Sequence, residues 1–292
     1  MNEGGLREAL FWNARNDNAV CCDLCPNRCI ISEEKTGLCG TRKNTGGRLI
    51  ATGYGMVSSI ALDPIEKKPL YMFHPGNRIL SAGGYGCNLR CPFCQNHEIS
   101  TNYTERSKNA EFLAPEKLVV LAKETVKDGN IGVAYTYNEP LVNLEYVLDC
   151  SKIAREASLK NVLVTNGYIN NEPLEELLPF IDAMNIDLKG FSEEFYRKLG
   201  GEPEAVKRTI VRAAKSCHVE VTTLVIPEEN EHEILDIARW LASIDPGIPL
   251  HLTRFFPRYK YSDKRPTSKE SILELVKKAK KYLKNVFAGN LY

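Results

Sequence analysis

Apolar runs alternate with amphipathic stretches along the chain from about residue 76 onward. Short runs rich in Val, Ile and Leu predict strands at residues 78–82, 131–137, 161–165, 183–187, 219–225 and 250–254. Apolar residues at helical spacing predict helices at residues 115–127, 141–157, 172–178, 204–216, 229–242 and 269–283. Strands that alternate with helices form a parallel sheet. The pattern therefore predicts an α/β fold of about six βα units, either a partial barrel or an open doubly wound sheet.

The stretch before residue 76 has a different character. It is rich in cysteine, glycine and short polar turns, and it shows no long periodic element. A chain of 292 residues is long enough for one large α/β domain and a small accessory module. We therefore predict a Cys-rich N-terminal module at residues 1–75 and a core domain at residues 76–292.

Charge and composition exclude several classes of partner. Thirty-eight Lys and Arg residues balance 37 Asp and Glu residues, so the formal net charge is +1. No global field draws such a protein to nucleic acid or to anionic lipid. The N-terminus lacks the apolar core of a signal peptide, and no stretch is apolar for the length of a membrane span. We expect a cytoplasmic protein without a nucleic-acid or membrane partner.

Cysteine clustering changes this picture. Ten cysteines in a large cytoplasmic chain indicate metal binding more than disulfides. Cys87, Cys91 and Cys94 follow a glycine-rich turn and can hold three corners of a [4Fe–4S] cube. Because electron-transfer cubes use four thiolates, a trio leaves one iron open for a ligand, as in catalytic zinc sites. The alternative is a zinc knuckle or a set of unrelated thiols.

A second cysteine group consists of Cys22, Cys25, Cys29 and Cys39. Four thiolates make a closed site, which suits zinc or iron and a structural or electron-passing role. An auxiliary iron–sulfur cluster and a structural zinc both fit, and Cys21 could replace Cys22. Free thiols in a core are the alternative.

Polar residues follow the predicted strands. Asn138 and Glu139 follow one strand, Asn166 another and Asp187 a third. In parallel α/β folds the active site lies at the carboxyl ends of the strands. We therefore expect these side chains to meet in one site.

The cluster loop and the strand ends together resemble the radical S-adenosylmethionine (SAM) superfamily. The chain resembles pyruvate formate-lyase activating enzymes, and more closely the AmmeMemoRadiSam-system radical SAM proteins. The resemblance is carried by residues 22–29, 37–40, 63–71, 87–100, 135–140, 165–167, 186–189 and 254–257. It implies a partial (β/α)6 barrel, a [4Fe–4S] cluster on the cysteine trio, and SAM bound to the open iron.

The resemblance also implies a set of cofactor-binding residues. Glu139 falls where activating enzymes bind the SAM amino group, although Glu-Pro is also a common helix start. Lys189 would hold the SAM carboxylate, and Arg254 could face substrate or serve a structural hydrogen bond. The cofactor-binding residues implied are Phe93, Asn138, Glu139, Thr165, Asn166, Asp187, Lys189, His251 and Arg254.

The function implied is reductive cleavage of SAM to methionine and a 5′-deoxyadenosyl radical, which abstracts hydrogen from an unidentified substrate. A low-potential donor of the flavodoxin or ferredoxin type would supply the electron. The substrate could be a glycine backbone of a glycyl-radical enzyme, a small molecule, or another protein such as a Memo-family partner. An alternative of a different class is a non-catalytic zinc-binding interaction protein in which both cysteine groups are structural.

Overall fold

The computed structural model describes residues 7–101 and 109–291. The strands, in chain order, are β1 (Trp12–Ala14), β2 (Val20–Cys22), β3 (Ile30–Ile31), β4 (Arg42–Thr45), β5 (Arg48–Ala51), β6 (Met56–Val57), β7 (Ser59–Pro64), β8 (Arg78–Gly83), β9 (Glu111–Phe112), β10 (Asn130–Tyr135), β11 (Lys160–Thr165), β12 (Ala183–Asp187), β13 (His218–Val225), β14 (Leu250–Arg254) and β15 (Val286–Gly289).

The α-helices surround the larger strands. They are α1 (His97–Ser100), α2 (Pro115–Glu124), α3 (Leu144–Glu156), α4 (Asn171–Leu177), α5 (Glu193–Leu199), α6 (Pro203–Ala213), α7 (Ile234–Ile244) and α8 (Lys269–Ala279). Short 3-10 turns are at Ile65–Lys67, Val126–Asp128, Pro140–Asn143, Leu178–Phe180, Glu231–Glu233 and Tyr259–Tyr261. No helix in the described ranges is both long and apolar enough to cross a membrane.

The main sheet has eight strands in the order β15-β14-β13-β12-β11-β10-β8-β7. The strands from β8 to β15 in this order run parallel, and β7 pairs antiparallel with β8 along the whole length of β7. All six predicted strands are present, and the α/β fold with a radical SAM-type partial barrel is confirmed. Parallel strands covered on both faces read as continuous apolar runs, which is why the sequence pattern located them.

Besides the edge strand β7, two elements of the barrel were not predicted. β15 has four residues, too few to stand out as a periodic run. Helix α5 is short and polar, but it has clear boundary signals: the Ser192 side chain accepts a hydrogen bond from Phe195 N, and Gly200 ends the helix at φ +73°. These signals could have located α5.

A segment from the N-terminal part of the chain closes the inside of the barrel. We call residues 65–73 the barrel floor. Its backbone meets side chains that point inward: Asn185 Nδ2 donates to Pro69 O over 2.8 Å, and Met72 N donates to Glu220 Oε1 over 2.7 Å. Because β7 and the floor precede residue 75 and yet pack within the barrel sheet, the first 75 residues contribute directly to the core.

Small antiparallel sheets make up the rest of the N-terminal part. Strands β1, β2 and β3 form one sheet, β4 and β5 form a hairpin, and β6 pairs with β9. The fully buried Arg42 joins this part to helix α3: its Nη2 lies 2.6 Å from Glu145 Oε1. The division at residue 75 into a module and a core domain stays a prediction.

Candidate active site

A cavity of about 450 Å³ lies at the carboxyl ends of the parallel strands. Its wall combines the cysteine loop after β8, the residues after β10, β11 and β12, and part of the barrel floor. The residues that line it are Asp63, Lys67, Lys68, Pro69, Cys87, Cys91, Phe93, Cys94, Gln95, Asn96, Ser100, Thr136, Tyr137, Asn138, Glu139, Val164, Thr165, Asn166, Asp187, Lys189, Thr222, Leu224, Thr253 and Asn290. This position fits the rule that parallel α/β folds bind ligands at these strand ends.

The three cysteines of the loop border this cavity together. Burial, the Glu139 carboxylate and the thiolates of Cys91 and Cys94 raise the pKa of Cys87 well above its usual value. Burial likewise raises the pKa of Cys91 to about 11, although the Lys189 ammonium opposes this shift. Cys91 is buried and Cys87 is half-buried, so a cation close by is needed to ionise these two thiols at neutral pH. The donor set and its burial therefore fit an iron–sulfur cluster.

Glycine is required just before the first of these cysteines. Gly86 has φ +86°, and a Cβ at this position would clash with the carbonyl oxygen of Cys39. The loop thus turns tightly against the N-terminal part of the chain. This contact brings the second cysteine group next to the first.

Glu139 is buried at the end of β10 and is held by three donors. Its Oε1 accepts hydrogen bonds from Thr165 Oγ1 over 2.7 Å and from Leu141 N over 3.0 Å, and its Oε2 accepts from Asn166 N over 2.7 Å. Burial raises its pKa to about 7 despite these hydrogen bonds. The raised pKa shows that the charge is incompletely compensated, so an ammonium group placed here would be stabilised by it. Glu139 also caps the turn at Pro140–Asn143, which agrees with Glu-Pro as a helix start, whereas its binding of the SAM amino group stays a prediction.

The asparagines of the strand ends hold the cysteine loop. Asn138 Oδ1 accepts from Gly84 N over 3.0 Å, and its Nδ2 donates to Tyr85 O over 2.9 Å. Asn166 Nδ2 lies 3.6 Å from Cys87 Sγ and 2.9 Å from Asn88 Oδ1. Both side chains border the cavity, and most of their hydrogen bonds are made to the loop. Their contribution in this structure is to fix the loop's conformation.

Asp187 and Lys189 form an ion pair at the end of β12, with 2.9 Å between Oδ2 and Nζ. Burial opposes the charge on Lys189, but the carboxylate of Asp187 and the thiolate of Cys91 raise its pKa above the usual value. Lys189 N also donates to the hydroxyl of Tyr196 on α5 over 3.1 Å. The unpredicted helix α5 therefore positions this lysine as a permanent cation beside the cysteine trio.

Two predicted cofactor-binding residues lie outside the cavity lining. His251 lies beneath the barrel floor, where its Nε2 is 2.6 Å from Glu220 Oε2. Arg254 Nε donates to Thr267 O over 2.8 Å, and its guanidinium packs 4.7 Å from the centre of the Phe256 ring. Their side chains serve structural interactions here, and Thr253 is the β14 residue that borders the cavity. Phe93 does border it, with its ring 6.2 Å from that of Phe195.

Glu220 explains why His251 is held below the floor. Burial alone would raise the pKa of Glu220, but hydrogen bonds from His218, His251 and the backbone of Met72 and Tyr71 lower it to about 2. An ionised carboxylate with these donors is a strong anchor. It ties the floor to β13 and β14.

The second cysteine group lines a small enclosed cavity beside the first. Cys22, Cys25, Cys29 and Cys39 all border it together with Arg42. Cys21 does not, and its Sγ lies 4.0 Å from Asp23 Oδ1 instead. In the described part of the chain, no three or more His, Cys, Asp and Glu side chains, those of either cysteine group included, are placed to hold a single metal ion. The fit of the cysteine trio to a cluster therefore rests on its donor set and burial. The four-thiol site, and the choice of Cys22 over Cys21, stay predictions.

Sequence reasoning gave no role to one group in the cavity wall. Asp63, Lys67, Lys68 and Tyr137 lie in the segments 63–71 and 135–140, which carry the family resemblance but imply no role for these side chains. The structure brings the four side chains together at the cavity through hydrogen bonds to Asp63. No local pattern predicts this group, because Asp63 ends a strand, Lys67 and Lys68 follow it in a turn, and the contact with Tyr137 depends on the fold.

Comparison with known proteins agrees with this geometry. The family model of the radical SAM superfamily matches residues 83–241, which include the cysteine loop and the ends of β10, β11 and β12. The chain belongs to the radical SAM superfamily. This family implies a [4Fe–4S] cluster and SAM, and the protein is therefore a radical SAM enzyme.

Individual relatives extend the match over nearly the whole chain. The protein MJ0808 of Methanocaldococcus jannaschii, itself uncharacterized, is 42% identical over 98% of this chain and 86% of its own length. The pyruvate formate-lyase-activating enzyme of Clostridium pasteurianum is 25% identical over 69% of this chain and 88% of its own length. The solved structure of TYW1 with a lysine-pyruvate adduct covers 77% of this chain and 84% of its own, with a TM-score of 0.51 and 17% identity. That likeness shows the fold.

Proposed function

We propose that this radical SAM enzyme cleaves SAM reductively at a [4Fe–4S] cluster held by Cys87, Cys91 and Cys94. The observation that carries the proposal is that this trio and the polar ends of the parallel strands border one cavity. When bound, the cluster supplies one electron to SAM, which yields methionine and a 5′-deoxyadenosyl radical that abstracts hydrogen from substrate. The protein supplies binding and orientation.

The charged side chains of the cavity match the charges of SAM. The buried carboxylate of Glu139 suits the SAM ammonium, and the cation of Lys189 suits its carboxylate. Asn166 and Thr165 fix the position of Glu139 through their hydrogen bonds. The SAM ammonium would therefore be the cationic partner of Glu139, and we expect the pKa of Glu139 to fall when SAM binds.

We infer a closed four-thiolate metal site at Cys22, Cys25, Cys29 and Cys39. Burial raises the pKa of Cys25 to about 12, so its ionisation needs a cation close by. Zinc and an auxiliary iron–sulfur cluster both suit four thiolates. Metal analysis of the Cys87→Ala, Cys91→Ala, Cys94→Ala triple variant decides between zinc and a cluster. Iron that remains in this variant belongs to the second group, whereas zinc in this variant excludes a cluster at the second group.

A second candidate function is activation of a glycyl-radical enzyme. The observation that favours it is the similarity to the pyruvate formate-lyase-activating enzyme over 69% of the chain. Its test is electron paramagnetic resonance of candidate partner enzymes mixed with the reduced protein and SAM, where a glycyl radical signal supports it. Membership of the AmmeMemoRadiSam group, a Memo-family partner, a flavodoxin or ferredoxin donor and a cytoplasmic location stay predictions.

The proposed function is tested by anaerobic reconstitution with iron and sulfide, dithionite reduction and an assay for 5′-deoxyadenosine. We compare the wild type with the triple cysteine variant, and use Cys217→Ala as a matched control because Cys217 lies outside both cysteine groups. The wild type and the control should form 5′-deoxyadenosine, and the triple variant should not. A reconstituted wild type that fails to cleave SAM would refute the proposal.

A further inference from the structure

The cavity has a second charged group that the proposed binding of SAM does not use. It consists of Asp63 at the end of β7, Lys67 and Lys68 at the start of the barrel floor, and Tyr137 after β10. We call these four residues the lysine group. They border the same cavity as the cysteine trio, so any ligand that shares the cavity with SAM can reach them.

Asp63 is the centre of the lysine group. Its Oδ1 accepts a hydrogen bond from Lys67 Nζ over 3.0 Å, and its Oδ2 accepts from Lys68 Nζ and from the Tyr137 hydroxyl, both over 2.8 Å. Burial would raise the pKa of Asp63, but these donors lower it well below its usual value. Asp63 is therefore a permanent anion that is already surrounded by donors, and it has little capacity to bind a cationic ligand.

Lys68 is the buried cation of the group. Its side chain is 4% exposed, and its ammonium lies 4.7 Å from the centre of the Tyr137 ring. An ammonium carries three N–H donors, and the hydrogen bond to Asp63 uses one of them. Burial lowers the pKa of Lys68, with Asp63 opposing the shift, which shows that the charge is only partly compensated. An anionic oxygen in the cavity would compensate it further.

Tyr137 holds this arrangement at a cost in backbone conformation. It has φ +73°, a region that residues with a side chain seldom adopt. Asn96 Nδ2, from the cysteine loop, donates to Tyr137 O over 2.7 Å and so helps to fix the turn. A strained residue whose side chain orients a charged pair at a cavity is a common feature of binding sites.

The formal charges of the cavity wall divide into a part that suits SAM and a part that suits a second ligand. With the carboxylates ionised, Glu139, Asp187 and Lys189 sum to −1, which complements the net +1 of SAM. Asp63, Lys67 and Lys68 sum to +1 on another part of the wall. Lys67 is at the rim, with its side chain 69% exposed, whereas Lys68 is inside. The surplus positive charge complements a ligand that carries an anionic group.

We propose that Lys68, assisted by Lys67, binds an anionic group of the substrate, either a carboxylate or a phosphate, and that Asp63 and Tyr137 position the Lys68 ammonium. The inference rests on the proposed function, since it assigns Glu139, Asp187 and Lys189 to SAM. The inference limits the possible substrates to molecules or modified side chains that carry a carboxylate or phosphate near the C–H bond that is broken.

The test is a nuclear magnetic resonance titration of the reconstituted protein with inorganic phosphate and, separately, with ¹³C-acetate. The variants are Lys68→Met, Lys68→Arg and Asp63→Asn, and the control is Lys160→Met, which removes a lysine from a 2.9 Å pair with Asp182 outside the cavity lining. We expect the wild type to bind one probe. Lys68→Met should weaken binding about tenfold or more, as the loss of a charged hydrogen-bond donor does, and the control should match the wild type.

The other variants distinguish an anion site from a structural pair. Lys68→Arg keeps the charge and should bind within a few fold of the wild type. Asp63→Asn keeps an amide oxygen that accepts from Lys68 and can still position its ammonium, but it removes the competing negative charge. It should therefore tighten anion binding, whereas a purely structural role predicts no gain. Circular dichroism identifies variants that fail to fold. If Lys68→Met fails to fold, the anion binding of Lys68→Arg and Asp63→Asn tests the proposal.

The proposal is overturned if the wild type binds neither probe, if Lys68→Met binds as tightly as the wild type, or if Asp63→Asn folds and gives no gain. The preferred probe identifies the phosphate or carboxylate class. The titration needs neither reduction nor SAM cleavage. Lys68-dependent binding in a protein that does not cleave SAM would therefore refute the proposed function alone, and SAM cleavage without anion binding would refute this inference alone.

Discussion

The buried ion pair of Arg42 and Glu145 provides the sharpest test of how the N-terminal part is attached to the barrel. The side chains are 1% and 0% exposed, with Nη2 and Oε1 2.6 Å apart. Burial opposes the charge on Arg42, but Glu145 and the thiolates of Cys22 and Cys39 raise its pKa. Removal of one partner leaves a buried, uncompensated charge, which costs about 3–5 kcal/mol.

We therefore expect Arg42→Met and Glu145→Leu each to lower the free energy of unfolding by about 3–5 kcal/mol, or the Tm by about 6–20 °C. The double variant removes both charges and replaces them with apolar groups. Leu10 still loses two hydrogen bonds, because its O accepts from Arg42 Nη1 and its N donates to Glu145 Oε1. We expect this loss to leave the double variant about 1–3 kcal/mol less stable than the wild type.

The assay is calorimetry and urea unfolding of the reconstituted proteins, analysed as a double-mutant cycle. The matched control is the cycle of Lys43 and Glu34, whose side chains are 2.6 Å apart but 35% and 60% exposed, so that their coupling should be within about 1 kcal/mol. The reasoning is refuted if the effects of the two buried substitutions add, or if each costs less than about 1 kcal/mol.

Three further outcomes follow from the structure. The ionised Glu220 stabilises the fold fully above its ordinary pKa, and this stabilisation, on the order of 3 kcal/mol, is lost as the pH falls through about 2. When the free energy of unfolding is measured against pH, Glu220→Gln should not show this loss in acid. Gly86→Ala should reduce iron loading, measured by absorbance, whereas Gly46→Ala should not, because both have positive φ but only Gly86 meets a neighbour. Ser192→Ala should cost about 1 kcal/mol in urea unfolding, through the lost cap of α5.

The sequence predicts the barrel strands well because their burial is uniform. The predicted bounds of β12 and β14 agree with the observed Ala183–Asp187 and Leu250–Arg254. The order of the strands could be inferred in part, since consecutive βα units lie side by side. β7 could not be placed this way, because it pairs antiparallel with β8 at the edge of the sheet and only one of its residues, Asp63, is buried. Its membership of the sheet depends on long-range packing.

The candidate site shows a similar division. Cysteine spacing and strand-end position predict which residues border the cavity, as for Glu139 and Lys189. They do not predict which of the residues on one face of a strand reaches the cavity. His251 and Thr253 lie two residues apart and point to the same side of β14, yet the floor separates them, so that His251 meets Glu220 and Thr253 meets the cavity. The floor comes from residues about 180 positions away in the chain, which no local pattern reveals.

Hydrogen bonds link the two cysteine groups structurally. Asn88 connects them: its O accepts from Asn27 Nδ2 over 2.8 Å, and its Oδ1 accepts from Asn166 Nδ2, which also lies near Cys87 Sγ. The same asparagine side chain borders the cavity of the second group. We therefore expect a change in the N-terminal group to shift the loop that carries the cysteine trio, because both contact Asn88. The N-terminal part is thus a wall of the active site as well as an addition to the barrel.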